Sequence, residues 1–232
     1  MEKGVEMAGD LGGATILFDL DGTLVDTAED LAASMNHALS ADGLGPIPPC
    51  EVRHLVGYGA RRMLMRGYQI ALEKDADGDR LDAAFDRFLT HYEANIAVHS
   101  RPFAGVVDII ERLRADGARM AVCTNKREAM AALLLEALGL APLFDFVAGA
   151  DTAAASKPDP APVLLCLKKT GAARGVFIGD SDTDIRAAEA AGLPCLIADF
   201  GYGPLTLSDR ASKVFSRYCD AEAFIRSMLA PS

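Results

Sequence analysis

The stretch ILFDLDGTLVDT (residues 16–27) decides the fold, because an apolar run ends abruptly in a polar turn. A short apolar run followed by a turn signal predicts a buried strand, which we place at ATILFDL, residues 14–20. Asp19 and Asp21 are two positions apart, so in an extended chain their side chains point the same way. Two carboxylates held this close repel each other. We therefore expect either water around them or a cation between them.

Further apolar runs of the same kind predict four more strands. Those strands are expected at residues 118–124, 144–150, 175–180 and 194–200. Between these strands, apolar residues recur at helical spacing and predict helices at residues 104–117, 126–139, 159–171 and 182–192. Strands that alternate with helices predict an α/β fold: a doubly wound, mostly parallel, Rossmann-like sheet.

The interval 27–98 breaks this alternation, because it contains no buried strand pattern. Residues 28–43 and 79–96 have the spacing of amphipathic helices, and residues 43–49 are predicted to form a loop. We predict a helical-bundle cap domain at 27–98, inserted after the first strand. The α/β core domain then comprises residues 1–26 and 99–232.

Composition restricts the classes of partner. The chain has 232 residues, with 33 acidic and 23 basic residues and a net charge of −10. Such an acidic chain disfavours binding to nucleic acid and a polybasic attachment to membranes. The start of the chain lacks the apolar region of a signal peptide. Glu136, Pro142 and Asp145 interrupt the longest apolar segment, so we expect a cytoplasmic protein without a membrane partner.

Polar residues cluster where the predicted strands end, which in an open parallel sheet is the edge that binds ligands. These residues are Asp19, Asp21, Thr124, Asn125, Ser156, Lys157, Asp180, Ser181, Asp182 and Asp184. Carboxylates grouped in a cleft do not all stay ionised without a positive partner. Mg²⁺ is a suitable one, since it prefers carboxylate, water and phosphate oxygens. Mg²⁺, a lysine, a hydroxyl and backbone amides together suit a phosphoryl group.

The histidines disfavour a different kind of hydrolase. All four, His37, His54, His91 and His99, precede residue 100 and so cannot lie at the ends of the later strands. A Ser-His-Asp or Cys-His site on this edge is therefore disfavoured, and no GxSxG motif is present. GYGARR (57–62) lacks the third glycine of a dinucleotide fingerprint and does not follow a strand.

Four segments, in this order, resemble the signature motifs of the haloacid dehalogenase-like (HAD) phosphohydrolase superfamily. They are DLDGTLVDT (19–27), CTNK (123–126), SKPDP (156–160) and GDSDTD (179–184), and the resemblance spans about residues 14–200. It implies that Asp19 is the nucleophile that forms an aspartyl-phosphate and that Asp21 is the general acid and base. Thr124 and Lys157 would bind the phosphoryl group with Asn125 beside them.

The resemblance also implies how Mg²⁺ would be held. Asp180 would be a ligand together with Asp19 and the backbone carbonyl of Asp21. Asp184 would be a further ligand, or would hold a metal-bound water or Lys157. No role is assigned to Asp182. The dehalogenases of the superfamily carry no acid at the position of Asp21, so this residue favours phosphate esters as substrates.

Three softer features, one in the predicted cap and two in the predicted core, resemble the bacterial phosphoglycolate phosphatase family. These are VGYGARRML (56–64), CTNK and FGYGP (200–204). The resemblance implies Mg²⁺-dependent hydrolysis of a small phosphorylated metabolite, with 2-phosphoglycolate the first choice. In the cap, Arg61 is our choice for binding a substrate carboxylate, with Tyr58 and Arg62 as neighbours, because arginine suits bidentate carboxylate recognition. Tyr202 we interpret as a packing or loop residue.

Other functions remain open at this point. A sugar-phosphate phosphatase or a β-phosphoglucomutase-like phosphotransferase would carry the same motifs and a helical cap. A signalling receiver domain also phosphorylates an aspartate beside a threonine and a lysine. It needs neither an acid two residues later nor a helical insert of this size. The sequence is compatible with a monomer or a homodimer.

Overall fold

A computed structural model describes residues 11–57, 59–73, 77–202 and 205–230. The strands are β1 (Ala14–Phe18), β2 (Val25–Asp26), β3 (Arg101–Pro102), β4 (Arg119–Cys123), β5 (Phe146–Ala148), β6 (Arg174–Gly179), β7 (Cys195–Ala198) and β8 (Lys213–Phe215). The helices are α1 (Ala28–Ser40), α2 (Pro49–Arg53), α3 (Ala60–Leu72), α4 (Gly78–Ala94), α5 (Val106–Ala115), α6 (Glu128–Ala137), α7 (Ala161–Thr170), α8 (Asp182–Ala190) and α9 (Tyr218–Leu229).

Six strands form one parallel sheet in the order β5-β4-β1-β6-β7-β8. From β1 the chain first builds outward through β4 and β5, and then returns to the other side of β1 with β6. The direction of winding therefore reverses between β1 and β6, which is where open α/β sheets bind ligands. The predicted doubly wound α/β fold is confirmed.

Strand β1 is central because it is apolar on both faces, and all five of its residues are buried. Ile16 and Phe18 belong to the apolar cluster on one face of the sheet, whereas Leu17 belongs to the cluster on the other face. This alternation is the pleat of a strand covered by helices on both sides. Burial of β1 fixes the point where Asp19 and Asp21 emerge.

The helical segment 28–94, made of α1–α4, is continuous with one of these clusters. Met35 of α1 and Phe88 of α4 are almost fully buried in the same cluster as Ile16 and Phe18. The chain enters this segment through β2 and leaves it through β3, and those two strands pair antiparallel. The division into a core domain and a cap domain at 27–98 stays a prediction.

Outside the helical segment, four elements differ from the sequence expectations. The two-residue strands β2 and β3 were not expected, because a pair this short has no periodic pattern. The chain after residue 204 was assigned no element, yet it adds β8 to the edge of the sheet and α9 beside it. Within the described part of the chain, no helix combines the length and the hydropathy that a bilayer span requires. The cytoplasmic location and the oligomeric state stay predictions.

Candidate active site

Asp19 and Asp21 follow β1 directly, at the ligand-binding edge of the sheet. Gly22 then turns the chain with a φ of +87°, a conformation that favours glycine. A Cβ atom at residue 22 would lie 2.5 Å from Oδ2 of Asp180, so space as well as conformation requires glycine there. The turn after β1 is thus fitted tightly against the residue that ends β6.

Lys157 lies between two carboxylates. Its Nζ is 2.9 Å from Oδ1 of Asp19 and 2.6 Å from Oδ1 of Asp184. Burial by itself lowers the pKa of this lysine, but the charges of Asp184 and Asp19 outweigh it and raise the pKa. For Asp19, burial outweighs the attraction of Lys157 and raises the pKa to about 7. The raised pKa keeps Lys157 protonated at neutral pH, and a protonated lysine can bind a phosphoryl group.

Asp184 and Asp180 are held from the start of α8 and from the loops around it. The backbone N–H groups of Asp180 and Ser181 and the hydroxyl of Ser181 all donate to Oδ2 of Asp184, which is fully buried. Asp180 accepts from the Thr23 hydroxyl at 3.0 Å and from the Tyr202 N–H at 3.0 Å. Burial, reinforced by Asp184 and Asp19, raises the pKa of Asp180 well above its usual value.

The same carboxylates have the composition of a divalent-metal site. One oxygen from each of Asp19, Asp180 and Asp184 lies within 4.8 Å of the other two. Three buried acids this close favour a bound cation, and hard oxygen donors suit Mg²⁺. Oδ2 of Asp184 already accepts three hydrogen bonds and Oδ1 accepts one from Lys157. Asp19 and Asp180 consequently have more free acceptor capacity for a metal than Asp184 has.

Asp21 has a separate partner that the sequence reasoning missed. Nζ of Lys126 donates to both of its oxygens, at 2.7 Å and 2.9 Å, and the Thr27 hydroxyl donates to Oδ1 at 2.7 Å. Burial alone would lower the pKa of Lys126, but the charge of Asp21 outweighs it and raises the pKa. Lys126 is the last residue of CTNK, so its place in that motif was the signal available in the sequence.

Thr124 and Asn125 follow β4 at the same edge. The Thr124 hydroxyl accepts from the N–H of Lys126 at 3.2 Å, which leaves its own proton available to a ligand. The side-chain amide of Asn125 donates to the carbonyl of Lys157 at 3.0 Å and, weakly, to that of Gly57 in the helical segment at 3.5 Å. Asn125 thereby joins the loop that carries Lys157 to the loop before α3.

A cavity of about 620 Å³ lies between the sheet edge and the helical segment, and Asp180 and Asp184 are not among the residues that line it. Asp19, Asp21, Thr124 and Lys157 line it from the sheet edge, whereas apolar residues of α1, α3 and α4 line it from the opposite side. Among the described residues, two buried side-chain atoms lack a hydrogen-bond partner, Oη of Tyr92 and Oδ1 of Asn125. Both residues line this cavity, and unsatisfied buried polar atoms are typical of a site that receives a ligand.

The predicted cap residues have different surroundings. Arg61 lines the cavity, but its guanidinium forms an ion pair with Asp82. Arg62 also lines the cavity, and no ion pair joins it to another of the described residues. Tyr58 lies outside the described residues. A substrate contact by Arg61 stays a prediction.

Asp182 was assigned no role from the sequence and Tyr202 was interpreted as a packing or loop residue, and the structure shows the contacts of both. Asp182 accepts hydrogen bonds from the N–H groups of Thr206 and Leu207, at 3.1 Å and 3.0 Å, and so holds the loop before β8. The Tyr202 hydroxyl accepts from the N–H of Thr27 at 2.5 Å and donates to Asp26 at 2.8 Å. Tyr202 therefore fastens the loop after β7 to the start of α1.

A family model described as haloacid dehalogenase-like hydrolase matches residues 16–198. The chain belongs to this family. The match covers the sheet from β1 to β7 together with the helical segment, and it includes every residue named above at the sheet edge. The predicted hydrolase family is confirmed.

Relatives and solved structures agree with this assignment. The chain is 45% identical over 195 residues to a phosphoglycolate phosphatase of Caulobacter vibrioides, covering 83% of this chain and 82% of the relative. It is 43% identical over 188 residues to one of Agrobacterium fabrum, covering 80% of each chain. The crystal structure of a predicted phosphoglycolate phosphatase from Haemophilus somnus superposes with a TM-score of 0.84 at 29% identity, covering 92% of this chain and 98% of that one.

Proposed function

We propose that the protein is a Mg²⁺-dependent phosphatase that hydrolyses 2-phosphoglycolate to glycolate and phosphate through an aspartyl-phosphate on Asp19. The observation that carries the proposal is the separation of the two acids after β1. Asp19 pairs with Lys157 beside two further carboxylates, whereas Asp21 pairs with Lys126 and Thr27. Two neighbouring carboxylates in different surroundings suit different roles in one reaction.

In the first step an oxygen of Asp19 attacks phosphorus, and the bond between phosphorus and the ester oxygen breaks. Asp21 donates a proton to the departing ester oxygen, so that the alcohol leaves neutral. Lys157 and the hydroxyl of Thr124 hold the phosphoryl oxygens while negative charge accumulates on them. The apolar residues of the helical segment keep bulk water away from the transferred group.

In the second step Asp21 takes a proton from a water molecule, whose oxygen then attacks phosphorus. The bond between phosphorus and the Asp19 oxygen breaks, which releases inorganic phosphate and restores the carboxylate. Mg²⁺ bound by Asp19, Asp180 and the carbonyl of Asp21 would supply positive charge that offsets the phosphoryl oxygens. Asp184 keeps Lys157 in place throughout, through its 2.6 Å contact.

The choice of 2-phosphoglycolate is supported by the names of the relatives and by the basic groups of the cavity. The similar proteins of Caulobacter vibrioides and Agrobacterium fabrum are named phosphoglycolate phosphatases. Arg62 and Lys126 line the cavity, which gives it basic groups for an anionic metabolite.

The test is phosphate release from a panel containing 2-phosphoglycolate, β-glucose 1-phosphate, pyrophosphate and acetyl phosphate, with Mg²⁺ present. We expect 2-phosphoglycolate to give the highest kcat/KM, EDTA to abolish turnover, and added Mg²⁺ to restore it. Asp19→Asn removes the nucleophile and should lower kcat by a factor of about 10⁴ or more. Asp209→Asn is a matched control, since Asp209 is exposed in a turn before β8.

Full activity of Asp19→Asn, or turnover that persists in EDTA, would contradict the mechanism. A phospho-enzyme that persists for minutes would instead support the receiver domain. If kcat/KM were higher for β-glucose 1-phosphate than for 2-phosphoglycolate, the proposed chemistry would stand but the proposed substrate would be wrong.

A further inference from the structure

Two hydrogen-bond donors, the Lys126 ammonium and the Tyr92 phenol, lie close together beside Asp21, and no acceptor receives the phenol proton. The phenol of Tyr92, at the end of α4, is 1% exposed, and its Oη has no hydrogen-bond partner. Nζ of Lys126 lies 4.8 Å from the centre of the Tyr92 ring. An ammonium group has no lone pair, so Lys126 cannot accept the phenol proton.

Lys126 itself has unused capacity. An ammonium carries three N–H groups; Lys126 donates to the two oxygens of Asp21, and its ammonium also lies beside the Tyr92 phenol, whose oxygen can accept but whose proton it cannot receive. Burial, with the charge of Asp21, raises the pKa of Tyr92 to about 12, although Lys126 acts to lower it. Tyr92 is thus a protonated donor at neutral pH. A buried pair of donors needs an acceptor, and a carboxylate offers two oxygens.

The position of the pair relative to Asp21 restricts which carboxylate can reach it. A general acid must lie within about 3 Å of the oxygen that it protonates. In 2-phosphoglycolate one methylene separates that ester oxygen from the carboxylate carbon. A substrate whose ester oxygen contacts Asp21 therefore brings its carboxylate close to the group that already touches Asp21, and this group is Lys126.

We propose that Lys126 and Tyr92 form the subsite that recognises the substrate carboxylate, and that they select phosphate esters with a carboxylate on the carbon next to the ester oxygen. The inference rests on the proposed function and deepens it. Lys126 comes from the sheet edge and Tyr92 from the helical segment, so substrate binding would join the two parts of the molecule. Arg61 is less suited, because Asp82 already occupies its guanidinium.

The experiment compares two substrates of equal length. One is 2-phosphoglycolate, and the other is 2-hydroxyethyl phosphate, in which a neutral CH₂OH replaces the carboxylate. The measured quantity is the ratio of their kcat/KM values with Mg²⁺ present. Tyr92→Phe is the cleanest variant, because it removes one oxygen and keeps the ring that packs on Phe88. Lys126→Met and Lys126→Arg test the charge, and Tyr68→Phe, in α3, is the matched tyrosine control.

We expect the wild type to favour 2-phosphoglycolate. Tyr92→Phe should lower this preference about tenfold and Lys126→Met about 100-fold, as expected for lost hydrogen bonds to a charged group. The loss should be mainly in KM for Tyr92→Phe, with Lys126→Arg restoring part of the preference and Tyr68→Phe leaving it unchanged.

Equal losses on both substrates, or an unchanged preference in Tyr92→Phe, would overturn the subsite while the proposed function stands. A wild type that hydrolyses both substrates equally well would overturn the subsite and the choice of substrate together. The aspartyl-phosphate chemistry would still be supported if Asp19→Asn lost turnover on every ester while the Tyr92 and Lys126 variants kept it.

Discussion

Asp184→Asn removes one negative charge from the most buried part of the site and keeps the shape of the side chain. Three donors from Asp180 and Ser181 converge on Oδ2, and Lys157 donates to Oδ1 at 2.6 Å. If the carboxamide oxygen keeps the first three, its NH₂ group must face the Lys157 ammonium. If the amide is reversed, Lys157 is satisfied but the NH₂ group faces three donors. Neither orientation satisfies every group.

The magnitude follows from burial. Asp184 is fully buried, and Lys157 keeps Asp19 as a second partner at 2.9 Å. Removing one member of a buried ion pair lowers the free energy of unfolding by about 3–5 kcal/mol. Because Lys157 still has Asp19 as a partner, we expect a loss near the lower end, about 3 kcal/mol. For a chain of this size that corresponds to a fall in Tm of about 6–12 °C.

Thermal and urea unfolding, followed by circular dichroism in EDTA, measure this loss without a contribution from Mg²⁺. Asp182→Asn is the matched control, since it lies in the same helical turn but contacts the more exposed Thr206 and Leu207. We expect the control to lose no more than about 1 kcal/mol. If the two variants had the same Tm, the ion pair between Lys157 and Asp184 would not stabilise the fold and our reasoning would be refuted.

Two further perturbations test other parts of the molecule. Gly201→Ala would place a Cβ atom 2.3 Å from the side chain of Asp180, so it should raise the Mg²⁺ concentration needed for half-maximal activity and cost about 1–3 kcal/mol. Gly78→Ala, which meets nothing within 4 Å, is its control, and an unaltered Mg²⁺ titration in Gly201→Ala would contradict the packing argument. At Asp42, burial opposes ionisation, but the hydrogen bond from Tyr68 and two arginines outweigh it and lower the pKa below 3.8. Its ionised form therefore stabilises the fold above pH 3.8, and this stabilisation is lost as the pH falls further. Asp42→Asn should flatten the pH dependence of the unfolding free energy in that range, and an unchanged slope would count against the effect.

The sheet was predictable because its strands are short apolar runs that end in polar turns. Such runs place Asp19, Thr124 and Asp180 at neighbouring strand ends without any knowledge of their contacts. The two-residue strands β2 and β3 were not predictable in this way, because pairing between residues about 75 positions apart leaves no local pattern.

The site was predictable as a set of acids and a lysine, but its pairings were not. The ion pair between Lys126 and Asp21 joins residues in the loops after two different strands, and the partner of Arg61 lies on another helix. Asp182 resembles Asp184 in sequence, yet only the fold distinguishes a residue that holds a loop from one that holds Lys157. These roles depend on which side chains are close in three dimensions, and spacing along the chain does not predict those distances.

The antiparallel pairing of β2 with β3 has a topological consequence. Asp26 and Arg101 are opposite each other across this ladder, so the helical segment begins and ends at neighbouring positions. In antiparallel geometry two residues suffice to connect such neighbours. A change in the length of the loops within that segment therefore leaves the spacing of its two ends unchanged, and the ends of β1 and β4 keep their positions relative to each other.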